Sequence, residues 1–156
     1  MDQVEPTMTG ESGASAPKSL YVVGALALLW NAFGGYDYIM TRMRNLDWLA
    51  SMGGDPNELL AWVDSFPIWA QIGWGLGVWG GVLGSILLLM RSRHAVMAFA
   101  VSMVGMVLSF GYQFMGPPAP PAMTEGAAAV VPIVIILVGI ALFFYARAMK
   151  AKGVLR

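Results

Sequence analysis

Four stretches of this chain are long, apolar and almost free of charge, and no other property narrows its possible folds as much. They run from about 20 to 40, 68 to 90, 95 to 115 and 127 to 146, and Asp37 is the one charged residue inside them. At 1.5 Å per helical residue, about 20 residues cross the roughly 30 Å hydrocarbon layer of a bilayer. The stretches are apolar all round, whereas the helices of a water-soluble bundle keep a polar face. The sequence therefore predicts an all-α polytopic membrane protein: four transmembrane helices in an up-down bundle, with the lipid bilayer as its first partner.

Only 12% of the 156 residues are charged, and the formal net charge is zero. No dense basic face exists for nucleic acid. The chain has no cysteine and one histidine, His94, so thiolate chemistry and a multi-histidine metal site fall outside what it can build. No phosphate-cradling, dinucleotide-binding or Ser-His-Asp pattern is present. The reading is a chain that is not an enzyme and carries no catalytic residue, metal or cofactor.

Residues 1–18 hold Gly, Ser, Thr, Pro and acids but few large apolar side chains, the composition of a disordered tail. The acidic lead-in and the length of the first apolar run argue against a cleaved signal peptide. Lys18, Arg91, Arg93, Arg147, Lys150, Lys152 and Arg156 fall on one side of the predicted path, and only Arg42 and Arg44 on the other. By the positive-inside rule both termini are expected in the cytoplasm, 150–156 forming a short basic tail.

The first outer loop, 41–67, contains Asp55, Pro56, Asn57 and Glu58, the order of an N-cap, a Pro at the first helical position and an N3 acid. A short helix is expected from there, with Leu59, Leu60, Val63 and Phe66 on one face lying in the headgroup layer. The second outer loop, Gly116 to Ala122, is proline-rich and expected to be extended. Thr124 and Glu125 are expected to start the fourth helix, with Pro132 kinking it or marking its start.

Small residues form stripes on two spans. Gly73, Gly77, Gly80 and Gly84 share a face of the second, with Gly81 beside them; Ala98, Ser102, Gly105 and Ser109 share a face of the third. In lipid, small residues let backbones approach where no hydrophobic drive exists. The stripes predict a tight antiparallel hairpin, or alternatively contact with a second copy or a larger membrane complex.

Polar residues inside the spans are candidates for function. From the rise per residue, Asn31 lies about 16 Å from the inner end of the first span, and Asp37, Gln71 and Gln113 lie roughly 5 Å beneath the outer boundary. Asp37, Gln71 and Gln113, with Ser109 and the deeper Asn31, define a candidate polar vestibule. Its structural alternative has Asp37 hydrated or paired with Arg42 or Arg44, and Asn31 bonding across to a neighbouring helix. His94 reads as a solvated turn residue.

The run Leu28, Leu29, Trp30, Asn31, then Gly34, Asp37 and Tyr38, followed by Pro67 to Ala70 and Gly80 to Ser85, resembles a set of small four-helix bacterial inner-membrane proteins. Some of that set are called sugar transporters. The resemblance covers about 20–115 and implies a bacterial inner membrane. The glycine stripes point to an accessory or self-associating membrane protein as the expected role, with a small transporter or channel for a polar solute as the alternative.

Overall fold

The computed structural model describes residues 16–156; the predicted tail as far as residue 15 lies outside them. The chain folds as α1 (Lys18–Arg42), α2 (Leu46–Ser51), α3 (Pro56–Asp64), α4 (Ile68–Leu89), α5 (Ala95–Met115), α6 (Pro121–Thr124), a 3₁₀ turn (Gly126–Val130) and α7 (Val131–Ala151). It is an all-α four-helix bundle, and α1, α4, α5 and α7 are each long and apolar enough to cross a membrane. α4 packs between α1 and α5, and α7 leans on α5. One end of the bundle carries α2, α3 and α6 and is called here the cap end. The other, the tail end, gathers the start of α1, the α4–α5 turn and the C-terminal residues, because Ala16, Leu20, Leu88, Ala95, Met149 and Leu155 share one apolar cluster.

Helix boundaries follow local chemistry. α1 and α4 begin after Pro17 and Pro67, both in extended conformation, because a residue locked near φ −65° suits a helix entrance. Three helices end in the same hydrogen-bonded turn, with the third residue past the helix bonding back five positions: Asn45 N–H to Met40 O, Ser92 N–H to Leu87 O, and Val154 N–H to Met149 O. That turn needs a left-handed residue, which glycine supplies most cheaply. Gly153 does so at φ 68°, but the other two positions hold Arg44 at 56° and Arg91 at 57°. Left-handed backbone costs a non-glycine about 1 to 2 kcal/mol. Both arginines offset this with side-chain bonds, Arg44 to Asp64 and Arg91 Nε to the Val154 carbonyl.

The glycine stripe of α4 is used within the chain. A methyl added at Gly105 would collide with the Gly77 nitrogen, the Gly73 carbonyl and, at 2.8 Å, Gly77 Cα. Gly80 faces Ser102, and a Cβ on Gly84 would stand 2.7 Å from the Phe99 ring. Ser102 Oγ donates to the Gly77 carbonyl at 2.6 Å. The tight α4–α5 hairpin is present, and the same face is therefore closed to a second copy.

Three local expectations need correction. The apolar side of α3 is turned inward: Leu59, Leu60, Trp62 and Phe66 cluster with Leu49 of α2, Ala70 of α4, Tyr112 of α5, and Ala119 and Met123 of the second loop. Protein contacts bury that face because four neighbouring segments supply apolar partners at once. Thr124 and Glu125 do not open the fourth helix; Thr124 ends α6, and α7 starts at Val131 with Pro132 in its first turn. A Pro there lacks only an N–H that would be unpaired anyway, so it marks the start instead of kinking the helix. Finally, α2 was not foreseen, although Asn45 caps it by accepting from Trp48 N–H at 2.9 Å.

Candidate functional site

The candidate polar residues are distributed over separate tethers instead of one vestibule. Nearest the bundle middle, Asn31 Nδ2 donates to Ser85 Oγ at 3.1 Å and to the Ala27 carbonyl at 2.8 Å. Its Oδ1 sits where a Cβ on Gly81 would stand, so the glycine beside the stripe makes room for the amide. Ser85 Oγ donates in turn to the Gly81 carbonyl at 2.8 Å and is fully buried. This chain links α1 to α4, which is the cross-helix bond expected of Asn31.

Asp37 stands half-buried near the cap end of α1. Its partner is the indole of Trp48, which donates Nε1–H at 2.9 Å, and the rings of Tyr36 and Phe33 meet Trp48 edge-on at 4.9 and 6.1 Å. Neither Arg42 nor Arg44 pairs with Asp37. Arg42 Nη1 donates to Gln71 Oε1 at 3.0 Å. Arg44 makes a two-pronged bond to Asp64 at 3.0 and 3.1 Å, more than half exposed on both sides and so worth at most about 1 kcal/mol.

Gln71 is held from both ends, its Nε2 donating to the Phe66 carbonyl at 2.9 Å. Gln113 turns back along its own helix and donates to Ser109 Oγ at 3.2 Å. Asp37, Gln71 and Gln113 thus sit on three helices near one end, as their depths required, but each is bonded to a different partner. Depth is set by residue spacing, whereas convergence depends on how the helices are rotated, which spacing does not fix. The residues missed were Trp48 and Ser85; Asn45 at a capping position, three residues before Trp48, was the available signal for the first.

The cap over this end is well anchored. Trp62 Nε1 donates to the Pro117 carbonyl at 3.2 Å, and Tyr112 Oη to the Ser65 carbonyl at 2.9 Å. Tyr38 lies across α4, edge-on to Trp74 at 4.6 Å, its hydroxyl 3.3 Å from where a Cβ on Gly75 would be. Chemically, the candidate groups are tethers: a lone carboxylate, three carboxamides and the hydroxyls of Ser85 and Ser109, each in a bond. Among the described residues no group of three or more His, Asp or Glu could hold a metal ion. His94 is exposed at the tail end, away from all of them.

No protein-family model, curated protein or solved structure matches this chain.

Proposed function

We propose that this protein is an accessory or self-associating component of a bacterial inner membrane, with both termini cytoplasmic and no enzymatic activity of its own. The observation that carries the reading is the closed centre: α4 and α5 touch backbone to backbone at Gly73, Gly77 and Gly105, at the depth where a solute path would have to run. The surface left for a partner is then not the glycine stripe but α7. The most apolar stretch of the span Gly126–Ala151, which contains α7, has the highest mean hydropathy of the four, 3.0, and only 6% of it is buried, against 33% in α5. The buried residues of α7, Leu142, Ala146 and Met149, all lie in its tail-end half, so much of the other half, beyond its contact with Met106 of α5, is left to lipid or another helix.

A second reading, a small transporter or channel for a polar solute, is favoured by Asp37, because an ionisable group within a span is costly and is retained most often for use. Purification in mild detergent with identification of bound proteins, together with solute uptake by proteoliposomes of wild type and Asp37→Asn, separates the two. The accessory reading expects a stoichiometric partner or a defined oligomer and no uptake. Uptake that Asp37→Asn abolishes would overturn it. A reporter fused after Arg156 is expected to signal from the cytoplasm, and a periplasmic signal would reverse the orientation.

A further inference from the structure

At the tail end, a cavity of about 540 Å³ opens between α5 and α7. Its wall is sorted by depth. On α7, Arg147 stands one turn beyond Phe143, with Lys150 a further turn out; next to α5, Arg93 and His94 precede Met97 and Ala100. Residues three and four apart share a helix face, so in both walls the cations stand toward the membrane surface and the apolar side chains toward the bilayer interior. The guanidinium of Arg147 lies 5.8 Å over the Phe143 ring, a cation–π contact that holds it at the groove.

No acidic side chain among the described residues answers the charges there. Every carboxylate side chain among the described residues belongs to the cap-end half or its loops: Asp37, Asp47, Asp55, Glu58, Asp64 and Glu125. Arg93, Arg147 and Lys150 have no ion-pair partner among the described residues. A groove with unpaired cations at its mouth and an apolar floor along the membrane normal matches one class of molecule, which carries its negative charge at the surface and its hydrocarbon below. Basic pockets between spans hold anionic lipid headgroups for this reason.

We propose that this groove binds an anionic glycerophospholipid, its phosphate held by Arg93, Arg147 and Lys150 and one acyl chain lying along Met97, Ala100 and Phe143. The guanidinium forks supply paired donors to phosphate oxygens, and the site takes its ligand sideways from the leaflet.

The test is native mass spectrometry of the full chain, purified in mild detergent and offered equimolar phosphatidylglycerol and phosphatidylcholine. One phosphatidylglycerol per chain should be retained in clear preference to phosphatidylcholine. Arg93→Gln with Arg147→Gln should weaken retention roughly 25-fold, about 5-fold for each surface cation removed. Ala100→Trp keeps every charge and fills the floor, and should also abolish retention. Lys18→Gln with Lys152→Gln removes the same charge from outside the groove and should change retention less than about 2-fold. Equal retention of the two lipids, equal loss in the two charge-matched double variants, or no effect of Ala100→Trp would each overturn the site. So would retention that appears only after Asp2, Glu5 and Glu11 are neutralised, since the chain's own acids would then be the occupant.

Discussion

Replacing Gly105 by Ala adds one carbon at the most crowded point between α4 and α5. That carbon would lie 2.8 Å from Gly77 Cα and still nearer the Gly77 nitrogen and the Gly73 carbonyl. Carbon atoms rest at about 3.5 to 4.0 Å, and all three obstacles are backbone, which cannot rotate away. The helices must part by about 1 Å, which forfeits up to about half of the dispersion energy of each contact along the stripe. The Ser102 to Gly77 bond, now 2.6 Å, would stretch past hydrogen-bond range and lose about 0.6 kcal/mol. Overpacking of this kind costs about 1 to 3 kcal/mol, and the better helix propensity of Ala returns about 1 kcal/mol. The net expectation is a destabilisation of about 2 kcal/mol, read from reversible unfolding in mixed micelles followed by circular dichroism. Gly111→Ala on the same helix is the control: its new carbon meets only the Met115 methyl at 3.9 Å, so stability should hold or rise by up to about 1 kcal/mol. If the two substitutions shift stability equally, close packing of the glycine stripe is not what holds the hairpin.

Three further perturbations address other contacts. Asn31→Ala removes the α1–α4 bond to Ser85 and leaves a gap beside Gly81; it should cost about 1 to 2 kcal/mol in the same unfolding assay, and an unchanged midpoint would show that the tether is idle. Trp48→Phe leaves the Asp37 carboxylate without its indole donor, a loss of about 1.5 to 3 kcal/mol for a bond to a charged group, and should speed trypsin cleavage after Arg44; an unchanged rate would mean that α2 is held by something else. Gly153→Ala forces an alanine to φ 68° at about 1 to 2 kcal/mol. It should loosen the tail-end clasp, in which Arg156 N–H bonds to the Arg91 carbonyl and Arg93 N–H to the Arg156 carbonyl at 2.8 Å. Hydrogen exchange at the Arg93 and Arg156 amides should accelerate about 10-fold with little change elsewhere.

That clasp shows where reading along the chain reaches its limit. Residues 150–156 look like a basic tail by composition, yet Val154 and Leu155 are buried and the Arg156 backbone bonds to Arg91 and Arg93 of the α4–α5 turn. Nothing local distinguishes a docked tail from a solvated one, since the partners lie about 60 positions away. The same holds for Asp37. Its depth in the span follows from counting residues, but whether it meets Gln71, an arginine or Trp48 depends on the rotation of α1 and on a six-residue helix, α2, too short to carry a periodic signal.

What the amino-acid order determined alone were the properties that a bilayer enforces segment by segment. Length and apolarity set the four spans, small-residue spacing set the α4–α5 hairpin, and Asp55 with Pro56 set the start of α3. Tertiary structure decided every pairing that those local rules leave open. It chose α5 over a second copy as the partner of the glycine stripe, and it turned the apolar face of α3 toward the bundle. It left much of the cap-end half of α7 exposed beside its contact with Met106 of α5, and sent each polar side chain to its own bond. The physical reason is that spanning a membrane is a property of one helix, while facing a given neighbour is a property of how several helices are rotated and seated together.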